Sequence, residues 1–214
     1  MMKLNEKQVQ ELFRFTYKKG VRWYDLQCEL VDHLALQIEA EISKDRHLSF
    51  EEAVKVIYKR FGIFGFSKIV QEKEVQVRKQ GNKLWWKGFK NLFYWPNILI
   101  SGSILLLLIM LSEFIDAEIY YYASTVIAIT YLVKVIGRNM KHTKLKLLMM
   151  QKIEMHSFFG WFWYPLYFPF VFENNNKVLA ILFLFLLILN IIIIEKISRE
   201  VLAEGKKLYP RAFA

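Results

Sequence analysis

The sequence has a single cysteine, and this scarcity excludes several classes of site. With Cys28 alone among 214 residues, the chain cannot form an intramolecular disulfide or a cysteine-rich metal site. It has only four histidines, which are few for a histidine-rich metal site in a membrane protein. The P-loop, GxGxxG, HExxH and GxSxG patterns of nucleotide-binding and hydrolytic proteins are also missing. We therefore expect no catalytic residue, metal site or cofactor, and predict that the protein is not an enzyme.

Charged residues are missing from long stretches of the second half of the sequence. Val178–Ile194 holds 17 residues without a charge, and Asn190 is its only strongly polar side chain. A helix of this length spans about 25 Å, just short of a hydrocarbon core about 30 Å thick. Three weaker apolar runs precede it, at about 97–111, 119–136 and 155–172. The pattern predicts four membrane-spanning helices, the third kinked or re-entrant at Pro165 and Pro169.

The N-terminus lacks the apolar core of a signal peptide and the glycine needed for myristoylation. We therefore expect the internal apolar runs to direct insertion. Lys and Arg exceed acids in segments 78–90, 134–152 and 196–211, whereas the two short loops at 112–118 and 173–177 contain one Lys and four acids. This asymmetry predicts an inner (plasma) membrane protein with both termini in the cytoplasm.

Residues 1–80 have the composition of a small soluble domain. Residues 1–90 carry 18 Lys and Arg and 12 acids, against 12 and 8 in the remaining 124 residues. Asn5 is a predicted helix cap, and Ser49 with Glu52 forms a predicted capping box. The helix predicted from about Val21 to Ser43 has two apolar stripes and should be central. We predict an all-α chain that begins with a small cytoplasmic helical bundle. Its predicted parts are a bundle at 1–80, an interfacial segment at 81–96, four transmembrane helices within 97–194 and a cytoplasmic tail at 195–214.

Two segments of the predicted bundle carry a family resemblance. ELVDHLALQIE at Glu29–Glu39 and LSFEEAVKVIYKRFG at Leu48–Gly62 resemble the HAAS-type signalling domain. The matching positions are Glu29, Asp32, His33, Leu34, Glu51, Glu52, Ala53 and Gly62. After Gly62 that family usually has Asp-Pro, whereas this chain has the apolar residues 63–66. The resemblance implies a regulatory or partner-binding module, often linked to transcription factors of the PadR type.

The polar face of the central helix is the first candidate site. Glu29, Asp32, His33 and Glu39 lie on or beside it, and we predict that they contact a cytoplasmic protein partner, such as a transcription regulator. Glu29 and His33 are one helical turn apart and would be able to share a cation. A solvated polar surface is the favoured alternative to a metal site, because the helix alone supplies too few ligands.

The second candidate site is the basic stretch that follows the second apolar run. Its residues are predicted to set topology at the membrane surface, which we favour over specific binding of anionic lipid headgroups. They are Lys134, Arg138, Lys141, Lys144 and Lys146.

These patterns favour a non-catalytic membrane protein with a cytoplasmic interaction or regulatory module, in contact with the lipid bilayer and able to form a homo-oligomer. A subunit of a small permease or transport assembly is the alternative, although no Asp, Glu, Lys or Arg lies near the middle of any apolar run. An enzyme acting on lipids ranks lower. Direct nucleic-acid binding ranks last, because basic and acidic residues are mixed throughout the first domain.

Overall fold

A computed structural model describes residues 3–45, 47–142, 146–151 and 176–213, with the backbone alone at 139–142. All regular secondary structure in these ranges is helical. Residues 148–151 form one helical turn, here called the 148–151 turn, and a short 3-10 helix ends the described chain at Pro210–Ala212. The α-helices are α1 (Glu6–Lys18), α2 (Tyr24–Lys44), α3 (Phe50–Lys59), α4 (Ser67–Asn91), α5 (Asn97–Leu111), α6 (Ala117–His142) and α7 (Lys177–Leu208).

The first three helices form the predicted bundle. Asn5 caps α1 and Ser49 caps α3, each in a capping box whose third helical residue is Gln8 or Glu52. Both predicted caps are therefore confirmed. The buried core of this bundle comes mainly from the apolar side of α2, together with residues of α1 and α3. Its members are Leu12, Val21, Leu26, Leu30, Val31, Leu34, Ile38, Ile42, Phe50, Ala53, Ile57 and Phe66.

Helix α4 joins the bundle to the second half of the molecule without a break. The sequence left open whether residues 67–95 form one stalk or two pieces, and the structure shows one helix of 25 residues, Ser67–Asn91. Ile69 and Val70 pack on the core of the bundle, whereas Trp85 and Phe89 pack on the second core. Because α4 contacts one core near its start and another near its end, its apolar residues follow no single stripe.

The second core is built around α7 and is much less enclosed. Helices α6 and α7 are long and apolar enough to cross a membrane, and most residues of their apolar windows are not buried inside the protein. Helix α5 has 15 residues, about 22 Å, and is shorter than a typical span. The predicted third span at 155–172 lies outside the described residues. Two candidate spans are thus established, and the arrangement of four stays a prediction.

Helices α4 and α7 run antiparallel in close contact. A Cβ added at Gly88 would lie 2.9 Å from Cγ2 of Ile193, so glycine permits the approach. Nearby, Nε1 of Trp85 donates a hydrogen bond of 2.8 Å to Oδ1 of Asn190. Earlier along α4, Val77 lines the same cleft as Val201, which lies further along α7. Helix α7 therefore continues beside α4 beyond its apolar run. This agrees with the prediction that the helix extends into the charged tail.

Candidate interaction site

The beginning of α2 is hydrogen-bonded to the loop after α6. The backbone N–H of Leu148 donates to both carboxylate oxygens of Asp25, at 3.1 and 3.0 Å. The N–H of Tyr24 donates to the carbonyl oxygen of Lys146 at 2.8 Å. Asp25 thereby accepts from the first amide of the 148–151 turn, as a helix-capping side chain does, although it lies 123 residues away.

Aromatic side chains extend this contact on both sides. Nε1 of Trp23 donates to Oε1 of Gln151 at 2.6 Å. The ring of Tyr24 stacks on Phe13 of α1 and meets Tyr209, after α7, edge-on at 6.2 Å between centroids. The first turn of α2 therefore joins three parts of the molecule: the bundle, the loop after α6 and the end of α7.

The carboxyl group of Asp25 titrates in an unusual environment. Burial raises its pKa, and the amides of Leu148, Leu26 and Met149, which donate to it, act in the opposite direction. Burial also raises the pKa of Tyr209, with a further contribution from the negative charge of Asp25. Asp25 thus binds a proton more strongly in the docked structure than an exposed aspartate does.

A half-open cleft of about 250 Å³ lies in the seam between α2, α4, the 148–151 turn and α7. Its walls include Val77, Leu147 and Val201, and its carboxylates are Asp25, Glu29 and Glu204. This volume is below the range of about 300–1,000 Å³ typical of pockets for drug-sized ligands. We therefore interpret the cleft as a gap in the packing of this seam and not as a site for a large ligand.

The four predicted partner-binding residues separate into two groups. Glu29 forms an ion pair with Lys73 of α4, and Glu39 accepts a hydrogen bond of 2.9 Å from the N–H of Leu4. These two side chains therefore take part in holding the fold together. Asp32 and His33 are exposed on α2, as expected of residues on a polar face.

Sequence reasoning placed Asp25 on or beside this polar face, but it missed Leu36 and the contact that Asp25 makes. Leu36 is 65% exposed one turn beyond Asp32 and His33, which gives the polar face an apolar element. Asp25 belongs to the same side of α2, one turn before Glu29, yet its role as a cap depends on a distant loop. The i, i+4, i+7 and i+11 spacing of Asp25, Glu29, Asp32 and Leu36 was the available signal.

Part of the predicted basic stretch is engaged within the protein. Nζ of Lys134 and Nη1 of Arg138 lie 3.1 and 3.2 Å from the carboxylate oxygens of Glu195 on α7. Lys146 is exposed, and its backbone carbonyl oxygen accepts the hydrogen bond from the N–H of Tyr24. The side chains of Lys141 and Lys144 lie outside the described residues. The Glu195 pairs join α6 to α7 at the point where the apolar run of α7 ends.

Within the described ranges, no group of three or more His, Cys, Asp or Glu side chains is placed to hold a metal ion. Glu29 is instead paired with Lys73, and Asp32 and His33 face solvent. The aromatic run at 155–172, considered as a ligand groove, falls outside those ranges.

Comparison of the chain with models of known families, with curated proteins and with solved structures finds no match. The similarity of residues 5–75 to the HAAS-type domain therefore stays a prediction based on the quoted segments.

Proposed function

We propose that the protein is a non-catalytic, multi-pass protein of the plasma membrane whose N-terminal bundle is a cytoplasmic interaction module. One observation carries this proposal: the carboxylate of Asp25 accepts the Leu148 amide, so α2 is attached to the loop that follows a candidate span. A partner held by α2 would thereby be coupled to helices in the membrane.

The exposed part of α2 supports a partner-binding role. Asp32, His33 and Leu36 combine charge with an apolar side chain on one surface of a helix whose other side is buried. Interfaces between proteins commonly place apolar contacts among polar ones. We propose these three residues as the contact, in a domain of the HAAS type, with a cytoplasmic regulator as the partner.

The charge distribution supports the proposed orientation. Lys134 and Arg138 lie in the last third of α6 and Lys146 follows it, and Arg199, Lys206 and Lys207 follow the apolar run of α7. The short loop between α5 and α6 contains Glu113 and Asp116, and Glu118 lies in the first turn of α6. The excess of Lys and Arg on these flanks supports a cytoplasmic position for the bundle, the 148–151 turn and the end of α7.

The test is affinity purification of the full-length chain from gently solubilised native membranes. The double variant Asp32→Lys/His33→Glu should lose a soluble protein that the unaltered chain captures. A matched control, Lys7→Glu/Glu11→Lys, exchanges two exposed charges on α1 and should retain it.

If the α2 variant retains every associated protein, the proposed contact is wrong. If all captured proteins are integral membrane proteins, the permease or transport-assembly alternative becomes the better explanation.

A further inference from the structure

The turn between α3 and α4 exposes two large apolar side chains. Ile63 is fully exposed, at 100%, and Phe64 is 78% exposed. Both lie in the segment FGIFGF at Phe61–Phe66, which is separate in sequence from the proposed partner contact at Asp32, His33 and Leu36. We call Ile63 and Phe64 the apolar tip.

The backbone on both sides of the apolar tip has a specific conformation that depends on glycine. Gly62 and Gly65 have φ of +70° and +51°, a conformation that other residues rarely adopt. The N–H of Gly65 donates to the carbonyl of Gly62 at 3.2 Å. A Cβ at Gly65 would clash with the hydroxyl oxygen of Tyr58, so the side chain of Tyr58 covers this position closely.

Phe66 anchors the turn from inside. It is 1% exposed, and its ring meets those of Phe15, Tyr58 and Phe61 at 4.9 to 6.1 Å between centroids. The same short segment therefore buries one phenylalanine and holds another in solvent. Such an arrangement presents the tip in a fixed position, which lowers the entropy lost when a partner binds.

The surroundings of the apolar tip are basic. Residues 53–71 contain Lys55, Lys59, Arg60 and Lys68 and no acid. The fold adds Lys19, whose Nζ lies 4.6 Å from the centroid of the Tyr58 ring. Arg60 pairs with Glu41, while Lys59 and Lys68 are exposed on either side of the turn.

The apolar tip lies just before the start of α4, far from the contact between α4 and α7. Gly88 lies beside Ile193, at the end of the apolar run of α7, and Ser67 is 21 residues earlier on α4. That separation is about 31 Å along the helix. Because α4 runs beside α7 away from Ile193, the tip lies at the end of α4 remote from the proposed membrane surface, where soluble proteins would have access to it.

We infer that the apolar tip is a second docking site, at which Ile63 and Phe64 enter an apolar pocket rimmed by acidic residues on a soluble protein. Lys59 and Lys68 would face that acidic rim. This site goes beyond the α2 surface of the proposed function, and only its orientation away from the bilayer depends on that proposal.

The experiment places the photoreactive residue p-benzoylphenylalanine at position 64 of the full-length chain in native cells. A second chain carries the same residue at position 17, because Tyr17 is similarly exposed on the bundle. Position 64 should give a crosslinked soluble protein that position 17 does not. Mass spectrometry should map the crosslink to an apolar site flanked by Asp and Glu.

The charge requirement is tested in the same chain with Lys59→Glu/Lys68→Glu, which should lower the crosslinking yield several-fold. Asp32→Lys/His33→Glu should leave that yield unchanged, so failure of the α2 contact and failure of the tip are distinguished. A crosslink to lipid or to a second copy, a yield insensitive to charge reversal, or no product beyond that at position 17 would overturn the inference.

Discussion

Ile38 on α2 and Leu107 on α5 are both aliphatic side chains in helices, but their surroundings are opposite. Ile38 is fully buried in the core of the bundle, whereas Leu107 is 57% exposed on the outside of the second half. The bundle folds by removing such side chains from water. The second half exposes them widely, as expected of helices whose outer surface meets lipid. The comparison teaches that internal packing covers the apolar residues of the bundle, whereas the second half leaves apolar surface that the proposed bilayer would cover.

The largest expected effect comes from a cavity in the bundle. Ile38→Ala should destabilise the bundle by about 2–5 kcal/mol, because buried aliphatic groups lose both transfer energy and packing. Leu107→Ala should change stability by less than about 0.5 kcal/mol. Hydrogen exchange of α2 and α5 amides in the full chain in mild detergent measures both. Equal effects would show that the two halves are packed alike.

The close approach of α4 to α7 within the second half is tested at Gly88. Gly88→Val should force α4 away from Ile193 and cost about 1–3 kcal/mol by overpacking. Gly102→Val on α5 is the matched control, since a Cβ there meets nothing within 4 Å. Tryptophan fluorescence of both variants, followed during thermal unfolding, reports the difference in stability. A Gly88 variant no less stable than the Gly102 variant would refute the described approach of α4 and α7.

The attachment of α2 to the loop should contribute less. Asp25→Ala removes the acceptor of the Leu148 amide and should cost about 0.5–2 kcal/mol, as the loss of a helix cap does. Exchange of the Leu148 amide should accelerate accordingly. Ser43→Ala, on the far end of α2, serves as the control. Unchanged exchange at Leu148 would mean that Asp25 does not hold the loop.

The smallest effect is a pH dependence of this attachment. Burial holds the pKa of Asp25 above its ordinary value of 3.8 in the docked structure, so that structure binds the proton more strongly than an undocked one. The stabilising effect is complete below about pH 4 and is lost as pH rises through the docked pKa. Protection of the Leu148 amide, corrected for intrinsic exchange, should therefore increase on acidification. Asp25→Asn should abolish this dependence, and a dependence that survives must come from another group.

Local patterns predicted α1 and α3 well, because both helices begin at residues whose side chains cap their own backbone. Asn5 and Ser49 bond within four residues, and the apolar stripes of α2 report which of its sides is buried. The bounds of α5 also agree with the predicted apolar run. Such signals lie within one helix and need no knowledge of its neighbours.

Contacts between distant segments could not be predicted in this way. Asp25 and Leu148 are 123 residues apart, and the periodicity of α2 identifies a polar side without showing what covers it. For the same reason the sequence grouped Glu29 and Glu39 with Asp32 and His33, although the first two are engaged in internal contacts. The sequence also could not predict that Phe64 is exposed and Phe66 is buried, because both belong to one short aromatic segment.

The unbroken length of α7 has a mechanical consequence. Its 32 residues extend about 48 Å, and about 22 Å of this lies beyond Ile193, which is in close contact with Gly88 of α4. Rotation of the helix by about 10° around that point displaces its far end, next to Tyr209, by about 4 Å. Helices adjust their tilt to bilayer thickness. A small change in thickness would thus reach the bundle as a displacement comparable to the width of a side chain.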